Sequence, residues 1–185
     1  SSVEDVVRKM RKIVEDNKRE VEKIVRENRK MAKDNEDLVK ESVKDLKRLA
    51  KELEDLAKDD TGDETLERIA REVRKRVEEL HRRSKEITDR TEERSRRSKR
   101  RLDEITKESR REIERLREEV EREGVSEDLE RTLRTVVKEV KEVLDRSRDL
   151  VRRVNEEVKR VLDRSREEDE RVVREVEEVI RRVET

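Results

Sequence analysis

The sequence predicts an all-α fold, an antiparallel up-down-up three-helix bundle with long, nearly straight helices. Three observations predict it. Apolar residues recur at spacings of 3 and 4 along nearly the whole chain, the pattern breaks at only two places, each with a glycine, and the three segments so marked are nearly equal in length. Short connections between helices of equal length make sequence neighbours antiparallel. Periodicity decides the class, because 58% charged and 28% hydrophobic residues lie near the composition of disordered chains. A narrow apolar stripe on a long helix suffices for burial at such a composition.

The first helix, about residues 2–58, is expected to start at Ser2 as N-cap, with Glu4 and Asp5 in the first turn at the positive end of the helix dipole. Its stripe reads Val3, Val6, Met10, Ile13, Asn17, Val21, Ile24, Asn28, Met31, Asn35, Leu38, Ser42, Leu46, Leu49, Leu53 and Leu56. Flanking residues Val7, Val14, Val25, Ala32, Val39, Val43, Ala50 and Ala57 widen it enough to meet two neighbours. Asp59-Asp60-Thr61-Gly62-Asp63 forms the break, with Gly62 suited to a left-handed backbone and Asp63 to capping the next helix.

The second helix, about 64–122, runs from Leu66, Ile69, Val73 and Val77 to Ile113, Leu116 and Val120. Its middle is the organising stretch of the chain. Leu80, Ser84, Ile87, Thr91, Ser95, Ser98, Leu102, Ile105 and Ser109 keep helical spacing while the residues on it turn largely polar. Gly124-Val125-Ser126 ends the helix and caps the third, about 127–184, whose stripe reads Leu129, Leu133, Val136, Val140, Val143, Ser147, Val151, Val154, Val158, Val161, Ser165, Asp169, Val172, Val176, Val179 and Val183. Valine is a poorer helix former than leucine because its side-chain rotation is restricted, so tertiary packing has to hold this helix.

The spacing 3, 4, 4, 3, 4 closes after 18 residues, giving 3.6 residues per turn and little supercoil. Residues repeat with it: Val143-Leu144-Asp145-Arg146-Ser147-Arg148 recurs as Val161-Leu162-Asp163-Arg164-Ser165-Arg166, Glu86-Ile87-Thr88 as Glu104-Ile105-Thr106, and Asp16-Asn17 as Asp34-Asn35. A solenoid repeats a whole helix-turn unit, whereas this repeat lies within each helix. The chain is therefore expected to be one domain, 1–185, a single bundle in which helices of about 60 residues span roughly 90 Å.

Folding the helices back about their breaks brings the polar stripe residues to common levels. Asn17 then faces Thr106 within a turn of Ser147, and Asn35 faces Thr88 within a turn of Ser165. Between them Asn28 meets Ser95 and, one residue out of register, Asn155. His81 falls level with Ser42 and near Asp169. Unpaired buried polar groups cost on the order of 1–3 kcal/mol each, so burial on all three helices requires that they bond one another. The expected buried network comprises Asn17, Asn28, Asn35, Ser42, His81, Ser84, Thr88, Thr91, Ser95, Ser98, Thr106, Ser109, Ser147, Asn155, Ser165 and Asp169.

Chemistry has weaker support. Ser42, His81 and Asp169 invite a triad reading, yet mid-helix N–H groups are already bonded to carbonyls and leave no oxyanion hole. A buried network in which His81 bridges Asp169 and Ser42 is the better reading. Glu78 and His81 have the Glu-x-x-His spacing of paired-metal bundles, but such sites need two such motifs, and this chain has one histidine. With no cysteine, aromatic residue or phosphate-binding loop, no catalytic, cofactor-binding or metal residue is expected, and no cofactor.

Fifty-four basic and 54 acidic residues cancel, so nothing draws the whole molecule to nucleic acid or anionic membrane. The segment from Arg82 to Arg101 holds ten basic residues against four acidic ones, centred on 94–101, and is read as a solvated helical face because no aromatics interleave it. No apolar run approaches the roughly 18 residues of a membrane span, and no targeting pattern opens the chain, so a soluble protein of undetermined compartment is expected. No partner is required; self-association or a helical partner is the alternative.

Long helices, an 18-residue cadence, minimal glycine-containing loops, no aromatics and Ser/Thr/Asn layers in the stripe together resemble de novo designed helical bundles with modular buried hydrogen-bond networks. The resemblance covers the whole chain and implies a scaffold without substrate or natural cofactor. Natural spectrin-like three-helix repeats are similar in outline but usually carry aromatics and less regular spacing.

Overall fold

The computed structural model describes residues 2–59 and 62–184. It contains α1 (Val3–Lys58), α2 (Asp63–Glu123) and α3 (Glu127–Glu184), and no strand among the described residues. The ends follow from local chemistry. Ser2 Oγ accepts the Asp5 N–H at 3.2 Å, and Ser126 Oγ accepts the Leu129 N–H at 3.4 Å, so each serine satisfies a first-turn donor that has no carbonyl partner. Gly124 closes α2 with φ of 79°, the left-handed conformation expected of a glycine just past a helix.

The α1–α2 connection differs from expectation. The carbonyl of Gly62 accepts the Leu66 N–H at 3.1 Å, which makes Gly62 the N-cap, and Asp63 is already the first residue of α2. Asp63 therefore acts on the helix dipole from the first turn instead of capping. Asp60 and Thr61 lie outside the described residues.

The chain packs as two compact units, each built from one segment of every helix. The first takes α1 up to Arg29 together with Ser95–Glu157. There Asn17 pairs with Thr106 and Glu20 with Arg101, while Ser95 pairs with Asn155, Arg110 with Asp145 and Glu114 with Lys141. Numbers rise on one helix as they fall on the other, so α2 is antiparallel to both neighbours. Arg29 reaches Glu157 across the remaining pair at 3.3 Å. The core of this unit gathers Val6, Met10, Ile113, Leu133 and Leu144, with Val136, Val137 and Val140 around them.

The second unit takes Lys30–Arg94 and the chain from Val158 onward. Its core gathers Leu46, Leu53, Ala70, Val77, Val172 and Ile180. Asn35 pairs with Thr88, and Arg74, His81 and Asp89 meet Glu184, Asp169 and Arg166, so the same antiparallel order holds. Each fully buried leucine or isoleucine in these clusters contributes about 1.5–3 kcal/mol of burial.

The stripe sits about one residue away from its expected centre at several levels. Leu38 is 47% exposed while Val39 is buried, and Leu144 and Leu162 are buried where Val143 and Val161 are half-buried. Likewise Thr88 and Thr106 lie deeper than Ile87 and Ile105. Leu129, in the first turn of α3, is 45% exposed. Leucine and isoleucine thus fill more of the α3 core than a valine stripe implies.

Candidate functional site

The polar side chains begin where each apolar cluster stops. In the first unit Asn17, Thr106 and Ser147 are buried, followed along the helices by the apolar level of Val21, Leu102 and Val151, and then by Asn28 and Ser95. In the second unit Asn35, Thr88 and Ser165 are buried, and nearer its apolar core lie Ser42, Ser84 and Asp169. Thr91 and Ser109 are buried as well, whereas Ser98, His81 and Asn155 are half-buried.

The two Asn–Thr pairs have the same construction. Asn17 Nδ2 donates to Thr106 Oγ1 at 3.5 Å, and Asn35 Nδ2 donates to Thr88 Oγ1 at 3.3 Å. A threonine hydroxyl has one proton to give. Thr88 Oγ1 lies 2.8 Å from the Ser84 carbonyl and 3.3 Å from Asn35 Oδ1, so the shorter contact to its own helix takes the proton while the amide of Asn35 fills a lone pair. Thr91 and Ser109 also donate to carbonyls four residues earlier, Ile87 and Ile105, both at 2.9 Å. These hydroxyls are satisfied within α2, by the back-bonding open to Ser and Thr in helices, and need no partner across the bundle. That corrects the expectation that every buried hydroxyl must be paired between helices.

Also in the first unit, Ser95 Oγ donates to Asn155 Oδ1 at 3.1 Å. Asn155 Nδ2 and Asn28 Oδ1 have no partner, and neither does Asn17 Oδ1. The layers therefore carry both formed bonds and buried groups whose desolvation is not compensated.

Half-buried His81 and buried Asp169 form the one ionisable pair of the expected set. Nδ1 lies 2.7 Å from Oδ2, with the Asp169 side chain 6% exposed and the His81 side chain 37% exposed. An ionised carboxylate only accepts, so Nδ1 is the donor. Burial holds the Asp169 carboxyl above its ordinary range, and the hydrogen bond and charge of His81 act the other way. Oδ1 of Asp169 has no partner, nor does Ser42 Oγ. His81 accordingly does not bridge Asp169 to Ser42, and the three residues do not form a relay.

Other side chains place themselves plainly. Glu78 is exposed, and no group of three potential metal-ligating side chains occurs among the described residues. In the basic stretch Arg101 pairs with Glu20 at 3.5 Å, and Arg96, Arg97 and Arg100 each have an interaction partner. Arg166, which the cadence does not mark, reaches Asp89 at 3.0 Å, Asp163 at 3.6 Å and Glu92 from the edge of the stripe beside Ser165. Its position one residue past a core serine was the available signal.

No protein-family model matches the chain, and no curated protein matches it. Among solved structures it is similar to a computationally designed three-helix bundle, at 14% identity and a TM-score of 0.66, over 98% of this chain and 93% of that one. At that identity the likeness is one of fold: this chain is a three-helix bundle. No described helix is long and apolar enough to cross a membrane.

Proposed function

We propose that this chain is a designed structural scaffold with no natural biochemical activity, its fold specified by an apolar stripe together with buried polar layers. The observation that carries the reading is the repeated Asn–Thr pair. Asn17 with Thr106 in one unit and Asn35 with Thr88 in the other are the same two residue types at the same 18-residue offset on both helices. An apolar stripe with an 18-residue cadence fits equally well after an 18-residue slip, so apolar packing alone discriminates weakly between registers. After such a slip one asparagine still meets a threonine, Asn17 with Thr88 or Asn35 with Thr106, but the other two do not, Asn28 falling level with Val77 or Ile113, and each stranded amide costs about 1–3 kcal/mol. Buried asparagines fix register in coiled coils by the same cost. The fold shared with a designed bundle supports the reading.

The test replaces Asn17, Asn28 and Asn35 together with leucine. The expected product is helical and no less heat-resistant, because apolar burial grows, yet conformationally mixed, with more backbone amide signals than residues. A triple variant with one sharp signal per residue and the parent arrangement would overturn the specifying role.

The second reading, a component of a helical assembly, is favoured by Leu38 and Leu129, which are 47% and 45% exposed. Light scattering over a concentration series separates the two. The scaffold reading expects the mass of one chain throughout, and a mass rising to a multiple supports assembly.

A further inference from the structure

Within the second unit, a cleft of about 150 Å³ opens between α1 and α2. Leu38, Val39, Leu80 and Ile87 supply its apolar walls, and Ser42 and Ser84 its floor, with charged residues at the rim. The cause is in the sequence, where serines on both helices stand at levels that carry leucine or valine elsewhere in the stripe, and the missing side-chain volume becomes space. Leu38 projects beside it, 47% exposed. Ser42 is the independent observation. It is 9% exposed, it lines the cleft, and its hydroxyl has no hydrogen-bond partner, although Ser109, Thr88 and Thr91 on α2 all satisfy theirs on a carbonyl four residues back.

We propose that this cleft is a binding site for a small neutral amphiphile, a six-membered aromatic body bearing one hydroxyl, whose oxygen pairs with Ser42 Oγ. The cleft, open to solvent on one side, has about 150 Å³, the volume that one benzene-sized ring takes. The unpaired hydroxyl supplies the selectivity, because a ligand that satisfies a buried polar group recovers its desolvation, which an apolar ligand of the same shape cannot. A neutral ligand fits better than a charged one, since no counter-charge is buried in the floor and Asp45 at the rim is taken by Arg48 at 3.2 Å. Binding includes a rotation about the Ser42 Cα–Cβ bond, because the hydroxyl oxygen as placed is shut off from solvent. This site goes beyond the scaffold reading and does not depend on it.

Phenol and toluene, matched in shape and differing in the hydroxyl, are the probes, titrated into protein carrying labelled Leu, Val and Ile methyl groups and followed by NMR. Saturable phenol-induced shifts are expected on Leu38, Val39, Leu80 and Ile87. In Ser42→Ala the ratio of phenol to toluene affinity is expected to fall about fivefold, the loss of one hydrogen bond. Ser84→Leu, with helicity checked by circular dichroism, is expected to fill the cleft and abolish both titrations. Phenol shifts that do not saturate in the parent, or that scatter over distant methyls, overturn the proposal. So does an unchanged affinity ratio in Ser42→Ala.

Discussion

Replacing His81 with leucine leaves the Asp169 carboxylate buried with neither oxygen paired, since Oδ1 already has no partner and Oδ2 has only the imidazole in reach. Removing one partner of a fully buried ion pair costs about 3–5 kcal/mol, and a hydrogen bond to a charged group is worth about 1.5–3 kcal/mol. Here the aspartate is 6% exposed but the histidine 37%, so water already reaches one side of the pair and the lower range applies. Leucine at the half-exposed site returns a little apolar burial. The expected net loss is about 2 kcal/mol at neutral pH. Asp169→Leu should behave differently, neutral to stabilising, because it removes the buried charge and leaves His81 able to reach solvent.

Urea unfolding followed by helical circular dichroism is the assay, as the chain has no aromatic residue to report and urea does not screen charge. The pH dependence has a definite sign. Burial raises the folded-state affinity of Asp169 for a proton, so the folded state binds protons that the unfolded state has released. Its contribution to stability is complete below the ordinary aspartate range, about 4, and is lost as pH rises through the raised folded value. The cost of His81→Leu should therefore shrink on acidification, as the stranded carboxylate takes up a proton. A loss below about 0.5 kcal/mol, or an equal loss when His81→Leu is made in Asp169→Leu, would refute the reasoning.

Three further outcomes follow from the packing. Leu46→Ala, at a fully buried site, should cost about 2–5 kcal/mol, whereas Leu38→Gln, at a 47% exposed one, should cost under about 1 kcal/mol in the same urea experiment. Gly124→Ala should cost about 1 kcal/mol because φ is 79°, while Gly62→Ser, at an N-cap with open space around a Cβ, should be neutral or stabilising by a few tenths. Ser126→Ala should cost about 1 kcal/mol by leaving the Leu129 N–H without its cap, seen as faster hydrogen exchange in the first turn of α3.

The helices, the starts of α1 and α3 and the end of α2 were legible because each rests on local chemistry: a serine before an acidic turn, a glycine after a basic one, and an unbroken cadence between. The start of α2 was not, since Gly62 and not Asp63 is its N-cap. The pairing levels were legible because the turn positions set which residues of antiparallel helices face each other, and Asn17 with Thr106 and Asn35 with Thr88 follow from that arithmetic. The choice between adjacent apolar residues was not. Leu38 and Val39, or Val143 and Leu144, satisfy the cadence equally, and only the placement of neighbouring helices sets which of the two turns inward. Hydroxyl partners were also hidden, because a serine or threonine chooses between its own helix and its neighbour by a rotation about one bond. Thr91 and Ser109 take their own carbonyls, and Ser42 takes neither.

The central claim is that asparagines in the stripe pair across helices and so select the register. Side-chain amide NMR tests it most directly, through the Nδ2 protons of Asn17 and Asn35 and their through-space contacts. The account predicts two slowly exchanging amide groups, each with contacts to one threonine methyl, Asn17 to Thr106 and Asn35 to Thr88. Amides exchanging at the rate of an unfolded chain, with contacts to water and none to those threonines, would contradict it.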